Sequence, residues 1–441
     1  MSAQHPSVAV AVASVRPWQR TSAIIASVLG WSLDLFDLFI LLYVAPVVGK
    51  LFFPSTQPTW SLALVYASFA VTLLMRPIGS AIFGHYADAH GRRGAMLVAV
   101  TGVGLATAAF GVLPTVQQAG AIAPVVFILL RLVQGIFVGG VVASTHTIGT
   151  ESVPPNWRGF MSGLVGSGGA GIGALIASIV FLITSTVFPG EAFATTGWRV
   201  MFFSGLLSSA LGWFVFRNLE ESPVWNEMRA QTAALKQPPA PLRAVLANPW
   251  RNVLFVNLLI SLGGGAGYYL TSGYLPTFLK VVNQLPNLTS SYILMACSIA
   301  AVVAAVLAGS LSDVIGRKNT FVLLGVAGAV LLPVCYLRLA ATADPTGIVL
   351  YAVAIAFIGN AGIAPVLIFL NERFPTAMRA TGTGLSWNIG FAVGGMMPTF
   401  VSLASPTPAD IPLSLAVFAT AVFVLYLVGA MVIPETRGEF R

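Results

Sequence analysis

The chain is poor in charge. Only 8% of its 441 residues are Asp, Glu, Lys or Arg, against about 25% in a soluble globular domain. So few ionic groups cannot clothe a water-facing fold of this length, which excludes a soluble enzyme. Cysteine is equally scarce. Cys297 and Cys335 are the only two; both lie in apolar runs with neither a partner motif nor metal-ligand spacing. That excludes a disulfide framework and a metal cluster. No nucleotide-binding glycine loop occurs, so no cofactor is implied. The first twenty residues lack a short apolar run with a cleavage site, and predict a retained first helix.

What is abundant is apolar sequence. Hydrophobic residues make up 57% of the chain, gathered in runs near the length a bilayer demands. Twelve spans are expected, at about 22–46, 59–83, 94–114, 122–145, 159–187, 197–217, 251–280, 289–311, 319–340, 347–370, 380–404 and 411–433. The longest polar stretch, Asn218 to Pro249, separates spans six and seven. It divides the chain into 1–217, a linker 218–250, and 251–441. With both termini inside, 16 of the 22 basic residues fall on the inner side and four outside. The positive-inside rule thus predicts a multi-pass inner-membrane protein with cytoplasmic termini. It also explains the net charge of +8 without nucleic acid as a partner.

The two halves echo each other. "GHYADAHGRR" (Gly84 to Arg93) and "GSLSDVIGRK" (Gly309 to Lys318) share G-x-x-x-D-x-x-G-R-[RK]. "ESVPPNWRG" from Glu151 and "ERFPTAMRA" from Glu372 share E-x-x-P-x-x-x-R at nearly the same offset. The fold expected is all-α: two pseudo-symmetric six-helix bundles, as in transporters whose site lies between repeats. The motif charges suggest a latch on the inner side. Asp88 would face span eleven and Arg379, Asp313 would face span five and Arg158, and Arg92 and Arg317 would reach Glu151 and Glu372. Loop solvation and orientation signalling are the simpler explanation of the same charges.

The motif loops, the twelve spans and "RLVQG" at Arg131 resemble the major facilitator superfamily. "LLRLVQGIFVGG", "LEESPVW" and "YYLTSGYLPTFL" resemble its metabolite:proton symporters, while "GWSLDLFDLF" is similar to the sialate:proton symporter group, which includes lactate carriers. The resemblance implies import of small carboxylates or zwitterions with protons. One departure stands out: both families commonly carry a glutamate after "VGG", where this chain has Val141.

Asp34 and Asp37 are the two acids placed deep in a span. Three positions apart, they share a helix face that should look into the bundle, because an intramembrane charge costs at least ~2.5–3.5 kcal/mol. Two carboxylates in a dry site do not both ionise easily, and a carboxyl that can hold a proton is what proton coupling requires. Arg131 on span four lies at the same depth as Asp37, about 13 Å from the outer end. The resemblance assigns Asp37 and Arg131 the coupling roles, with Asp34 as second candidate and Arg131 as a contact for a substrate carboxylate. A static ion pair is the alternative. Arg76 is expected to snorkel towards the inner surface, with direct anion contact as the other reading. His146 is expected to be an interfacial residue. The second half offers neutral groups: Asn257, Tyr268, Tyr269, Asn360, Trp387 and Asn388. Charges in one half facing neutral donors in the other suit a small organic anion. The expected partners are therefore that anion, protons and lipid, for a monomer working by alternating access. Span five has no proline between Gly159 and Phe188, whereas drug:proton antiporters that resemble this superfamily usually carry a proline-containing glycine motif there; the resemblance thus favours uptake over the alternative, a proton-driven exporter.

Overall fold

The computed structural model describes residues 17–90, 92–151, 153–217, 241–375 and 378–439. All twelve expected spans are helices. In the first half these are α1 (Pro17–Phe52), α2 (Pro58–His90), α3 (Arg92–Phe110), α4 (Ile122–Glu151), α5 (Arg158–Val187) and α6 (Phe193–Val215). The second half holds α7 (Trp250–Val281), α8 (Asn287–Ile315), α9 (Arg317–Ala341) and α10 (Pro345–Arg373). It ends with α11, Arg379–Gly394 continued by Met397–Leu403, and α12, Ile411–Val432. Most of the expected linker, 218–240, lies outside the described residues; its end forms a short helix, Pro241–Val245.

Helices arise here because a backbone in hydrocarbon must satisfy its own hydrogen bonds. Ten of them are long and apolar enough to cross a bilayer by length and composition alone. The other two are α3, which is short, and α11, which carries Thr381, Thr383, Ser386 and Asn388. Two expected boundaries move. α1 does not stop at 46 but continues through Pro46 to Phe52, since proline is tolerated in membrane helices where neighbours re-satisfy the freed carbonyl. α2 runs on to His90, taking most of the first motif into the helix.

Helix pairing has a six-helix period. α2 packs on α4 as α8 packs on α10; α3 on α6 as α9 on α12; α1 on α5 as α7 on α11. Across the halves, α5 packs on α8 and α2 on α11. Small residues permit the close crossings: a Cβ on Gly163 would meet the Ala305 carbonyl, and one on Gly309 the Gly159 carbonyl. Leu74, Leu105, Val330 and Val424 stand half exposed on the outside, facing where lipid would lie. Two π-helical turns, Gly163–Gly168 in α5 and Tyr269–Gly273 in α7, occur at the centre. Such turns shift side-chain register and often mark functional positions.

Candidate functional site

The two aspartates of α1 look in different directions. Three residues of helix leave them about 60° apart around the axis, enough to give them different neighbours. Asp34 faces α2, where Arg76 Nη2 lies 3.5 Å from its Oδ2. Both side chains are fully buried, and the Arg76 guanidinium also sits 5.7 Å from the Trp31 ring centroid. Asp37 faces α6 and α3: its Oδ2 accepts from Ser208 Oγ at 2.6 Å, and the Thr107 hydroxyl also interacts with it.

Arg131 does not meet Asp37 directly. Its Nη1 donates to Gln134 Oε1 at 2.7 Å, and Gln134 Nε2 donates to Thr107 Oγ1 at 2.8 Å. The expected ion pair is thus absent among the described residues; Arg131 is tied instead through Gln134 to Thr107, whose hydroxyl donates to the Val103 carbonyl at 2.9 Å. The cause is an aromatic cradle: the guanidinium lies 4.2 Å from the Phe110 centroid and 5.2 Å from that of Phe127, where ring faces attract a cation. Arg131 lines neither central cavity, so it is not placed as a substrate contact here. The expected snorkelling of Arg76 is also corrected. It stays buried because Asp34 neutralises it.

Two adjoining cavities lie between the halves. One is walled by Trp31, Arg76, Ser167, Tyr268, Tyr269, Trp387 and Phe391, among others. The second is walled by Phe39, Tyr43, Ser272, Ser298 and Asn360, among others. Ala170 and Tyr268 belong to both walls. Trp387 stacks on Phe391 at 4.1 Å and meets Trp31 edge-on at 6.0 Å. Asn360 donates to Ser272 at 2.7 Å and accepts from Ser167 at 3.2 Å. The buried Tyr268 hydroxyl, Arg76 Nε and Asp34 Oδ1 have no protein partner among the described residues. Unpaired buried polar atoms are costly, and their gathering here marks a place where polar ligand atoms would fit. Of the residues expected at the site, Tyr268, Tyr269, Trp387 and Asn360 line these cavities. Asn257 does not; it accepts from Arg373 at 3.2 Å. Asn388 also stands apart and donates to Ser80 at 3.1 Å.

The cavities are closed at both ends. At the motif-loop end, Asp313 accepts from the backbone amides of Gly159 at 3.0 Å and Phe160 at 3.2 Å, so a carboxylate of α8 holds the N-terminus of α5. Arg317 pairs with Glu372 through two bonds of 3.1 and 3.0 Å and with Asp313 at 2.8 Å. Arg379 Nε donates to the Asn371 carbonyl at 3.0 Å, and Arg158 begins α5 beside this cluster. The pairings expected for Asp88, Arg92 and Glu151, and the side chain of His146, lie outside the described residues. At the opposite end, Tyr66 donates to Thr277 at 2.7 Å and stacks on Tyr274 at 5.1 Å.

Sequence reasoning missed Glu435. Its carboxylate accepts from the amides of Arg317, Thr436 and Arg437 at 2.9 to 3.0 Å and from Lys318 at 3.1 Å. Partial burial pushes the Glu435 carboxyl up, but these four amides outweigh it and hold the value below the usual glutamate range. Thr436 then donates to Glu372 at 2.8 Å, so the segment after α12 straps the α8–α9 turn. Gly316 in that turn has φ +93° and the Glu435 carboxylate against its Cα, a conformation glycine adopts freely. Only the "PETRG" stretch after the last span could have signalled this.

The sequence model of the Major Facilitator Superfamily matches residues 21–399. The chain is 29% identical over 427 residues to the inner membrane metabolite transport protein YhjE of Escherichia coli (strain K12), covering 95% of each. It is 27% identical over 424 residues to the glycine betaine/proline/ectoine/pipecolic acid transporter OusA of Dickeya dadantii, covering 95% of this chain and 84% of the relative. A solved structure of the proton:xylose symporter XylE superposes with a TM-score of 0.75 at 17% identity, covering 96% of this chain and 98% of XylE. The chain belongs to the Major Facilitator Superfamily. It is a membrane transporter of that fold, not an enzyme.

Proposed function

We propose that this facilitator takes up a small carboxylate together with protons by alternating access. The observation that carries this reading is the Asp34–Arg76 ion pair, fully buried beside a closed cavity between the two halves. A buried pair of this kind is costly to desolvate, and it offers one guanidinium to an incoming carboxylate. When substrate takes Arg76, Asp34 is left as a bare anion in a dry site. A proton neutralises it, which ties proton to solute. Asp37 is the second proton carrier, sensed by Arg131 through Thr107 and Gln134. Tyr268, Tyr269, Trp387 and Asn360 contact the body of the solute, while Asn257 and Asn388 hold α7 and α11 in place.

Relatives support the choice of solute. Glycine betaine, proline, ectoine and pipecolic acid, the compounds OusA carries, all bear a carboxylate, and the structural neighbour XylE is a proton symporter, for xylose. The motif-loop end faces the cytoplasm, where basic residues collect. There Asp313, Arg317, Glu372, Arg158 and Arg379, with their counterparts Asp88, Arg92 and Glu151, latch the halves and part when they rock. The units are 1–217 and 251–441, joined by 218–250, and the working form is a monomer in the inner membrane. Purified protein in liposomes tests the reading under an inward proton gradient. Gradient-driven accumulation of labelled carboxylates is expected. Accumulation only when the gradient is reversed would instead make the chain an exporter.

A further inference from the structure

The charge inventory of the central cavities fixes how many carboxylates the solute can carry. Among the described residues that line the two cavities, Arg76 is the only cation. It arrives already matched to one anion, Asp34, at 3.5 Å. The other intramembrane cation of the first half, Arg131, is sequestered among Phe110, Phe127 and Gln134. The second half contributes no charge to either wall: its lining groups are Tyr268, Tyr269, Ser272, Ser298, Asn360 and Trp387, with apolar neighbours. Asp34 itself is faced by Arg76 from α2, by Asp37 on its own helix and by Tyr269 from α7. Among the described residues lining these cavities, no further basic group stands ready to pair with a second negative charge.

We propose that the solute carries a single carboxylate, which exchanges with Asp34 on Arg76, so that binding of one carboxylate brings one proton to Asp34. The inference rests on the uptake reading above and deepens it. A second ionised carboxylate would enter a narrow space walled by aromatic rings and a single neutral amide, Asn360. Ring faces repel anions, since their quadrupole is negative. An unpaired buried carboxylate costs far more than one or two neutral hydrogen bonds return. A positively charged nitrogen on the same solute is treated differently, because the aromatic rings of Trp31, Trp387, Phe391 and Tyr268 line these walls and aromatic rings attract cations. A zwitterion with one carboxylate therefore belongs to the permitted class and a dicarboxylate does not.

The test uses skeleton-matched pairs that differ only in charge: succinamate against succinate, and glutaramate against glutarate. Each is added to proteoliposomes holding a trapped pH dye, and protein-dependent proton entry is read against empty liposomes. In parallel, ligand-induced thermal stabilisation of the purified protein reports binding without transport. The monoamides are expected to act at concentrations about tenfold or more below the diacids in both readouts. Equal potency, or preference for the diacids, overturns the single-carboxylate assignment while leaving carboxylate uptake standing. Proton entry with none of a wider panel of acids overturns the uptake reading itself, and this inference with it.

Discussion

At the scale of single residues, the structure separates two arginines that the sequence could not rank. Both are buried in spans of the first half, but Arg76 lines the cavity and Arg131 sits in an aromatic cradle. Arg76→Ala is expected to raise the apparent KM for the solute at least tenfold, because it deletes the carboxylate contact. Arg131→Ala is expected to lower kcat and leave KM within about threefold, because its connection runs to Asp37 rather than to solute. Steady-state uptake kinetics on both variants check this; the reverse pattern would put Arg131 at the substrate after all. Asp34→Asn and Asp37→Asn are each expected to abolish gradient-driven accumulation while sparing solute exchange. Unchanged driven uptake in either would remove that aspartate from coupling. The need for a buried acid and base was legible in the sequence, because charges in hydrocarbon are too costly to be idle. The pairing was not. Depth along a helix follows from counting residues, whereas partner choice depends on rotation about the axis, and about 60° between Asp34 and Asp37 sends them to different helices.

At the scale of elements, all twelve helices were legible because bilayer thickness sets their length. The six-helix period of their packing followed from the repeated motifs. What the sequence did not reveal was where helices would yield, in the π-helical turns of α5 and α7. The α5–α8 crossing makes a prediction. A Val at Gly163 or Gly309 would press on the backbone carbonyl of Ala305 or Gly159. Such variants are expected to fold, to bind solute, and to lose at least tenfold in transport rate through failure to close the motif-loop end. Full transport activity would show that this crossing does not have to close. The strap after α12 makes another. Glu435 carries a folded value below its ordinary 4.5, so its contribution is present above that pH and falls away as pH drops through the lower folded value. Glu435 is largely exposed; charged hydrogen bonds worth ~1.5–3 kcal/mol are weakened by solvent there, leaving roughly 1 kcal/mol. Glu435→Gln should lower the melting temperature at pH 7, with the difference from wild type shrinking as the pH falls below the lowered folded value of Glu435. An undiminished difference at acid pH would contradict this account of the strap.

At the scale of the whole molecule, the halves touch at both ends and enclose the cavities between them. The motif-loop end is held by carboxylate-to-amide bonds and the opposite end by a tyrosine stack and a hydroxyl pair. This arrangement fits the closed intermediate that the proposed alternating-access cycle must visit. In it, loaded solute and proton would be shut away from both sides together. Ionic contacts at one end and neutral ones at the other make the first the more sensitive to salt, an asymmetry that belongs to the repeat motifs rather than to the site. The central claim is that one carboxyl group, Asp34, gives up its arginine to the solute and takes a proton in return. Proton uptake on solute binding, followed with an indicator dye in weakly buffered detergent solution, tests it most directly. Wild-type protein is predicted to take up about one proton per carboxylate bound at neutral pH, and Asp34→Asn to bind with no uptake through this group. Solute binding by wild type with no change in bound protons, or the same uptake in Asp34→Asn, would contradict the mechanism.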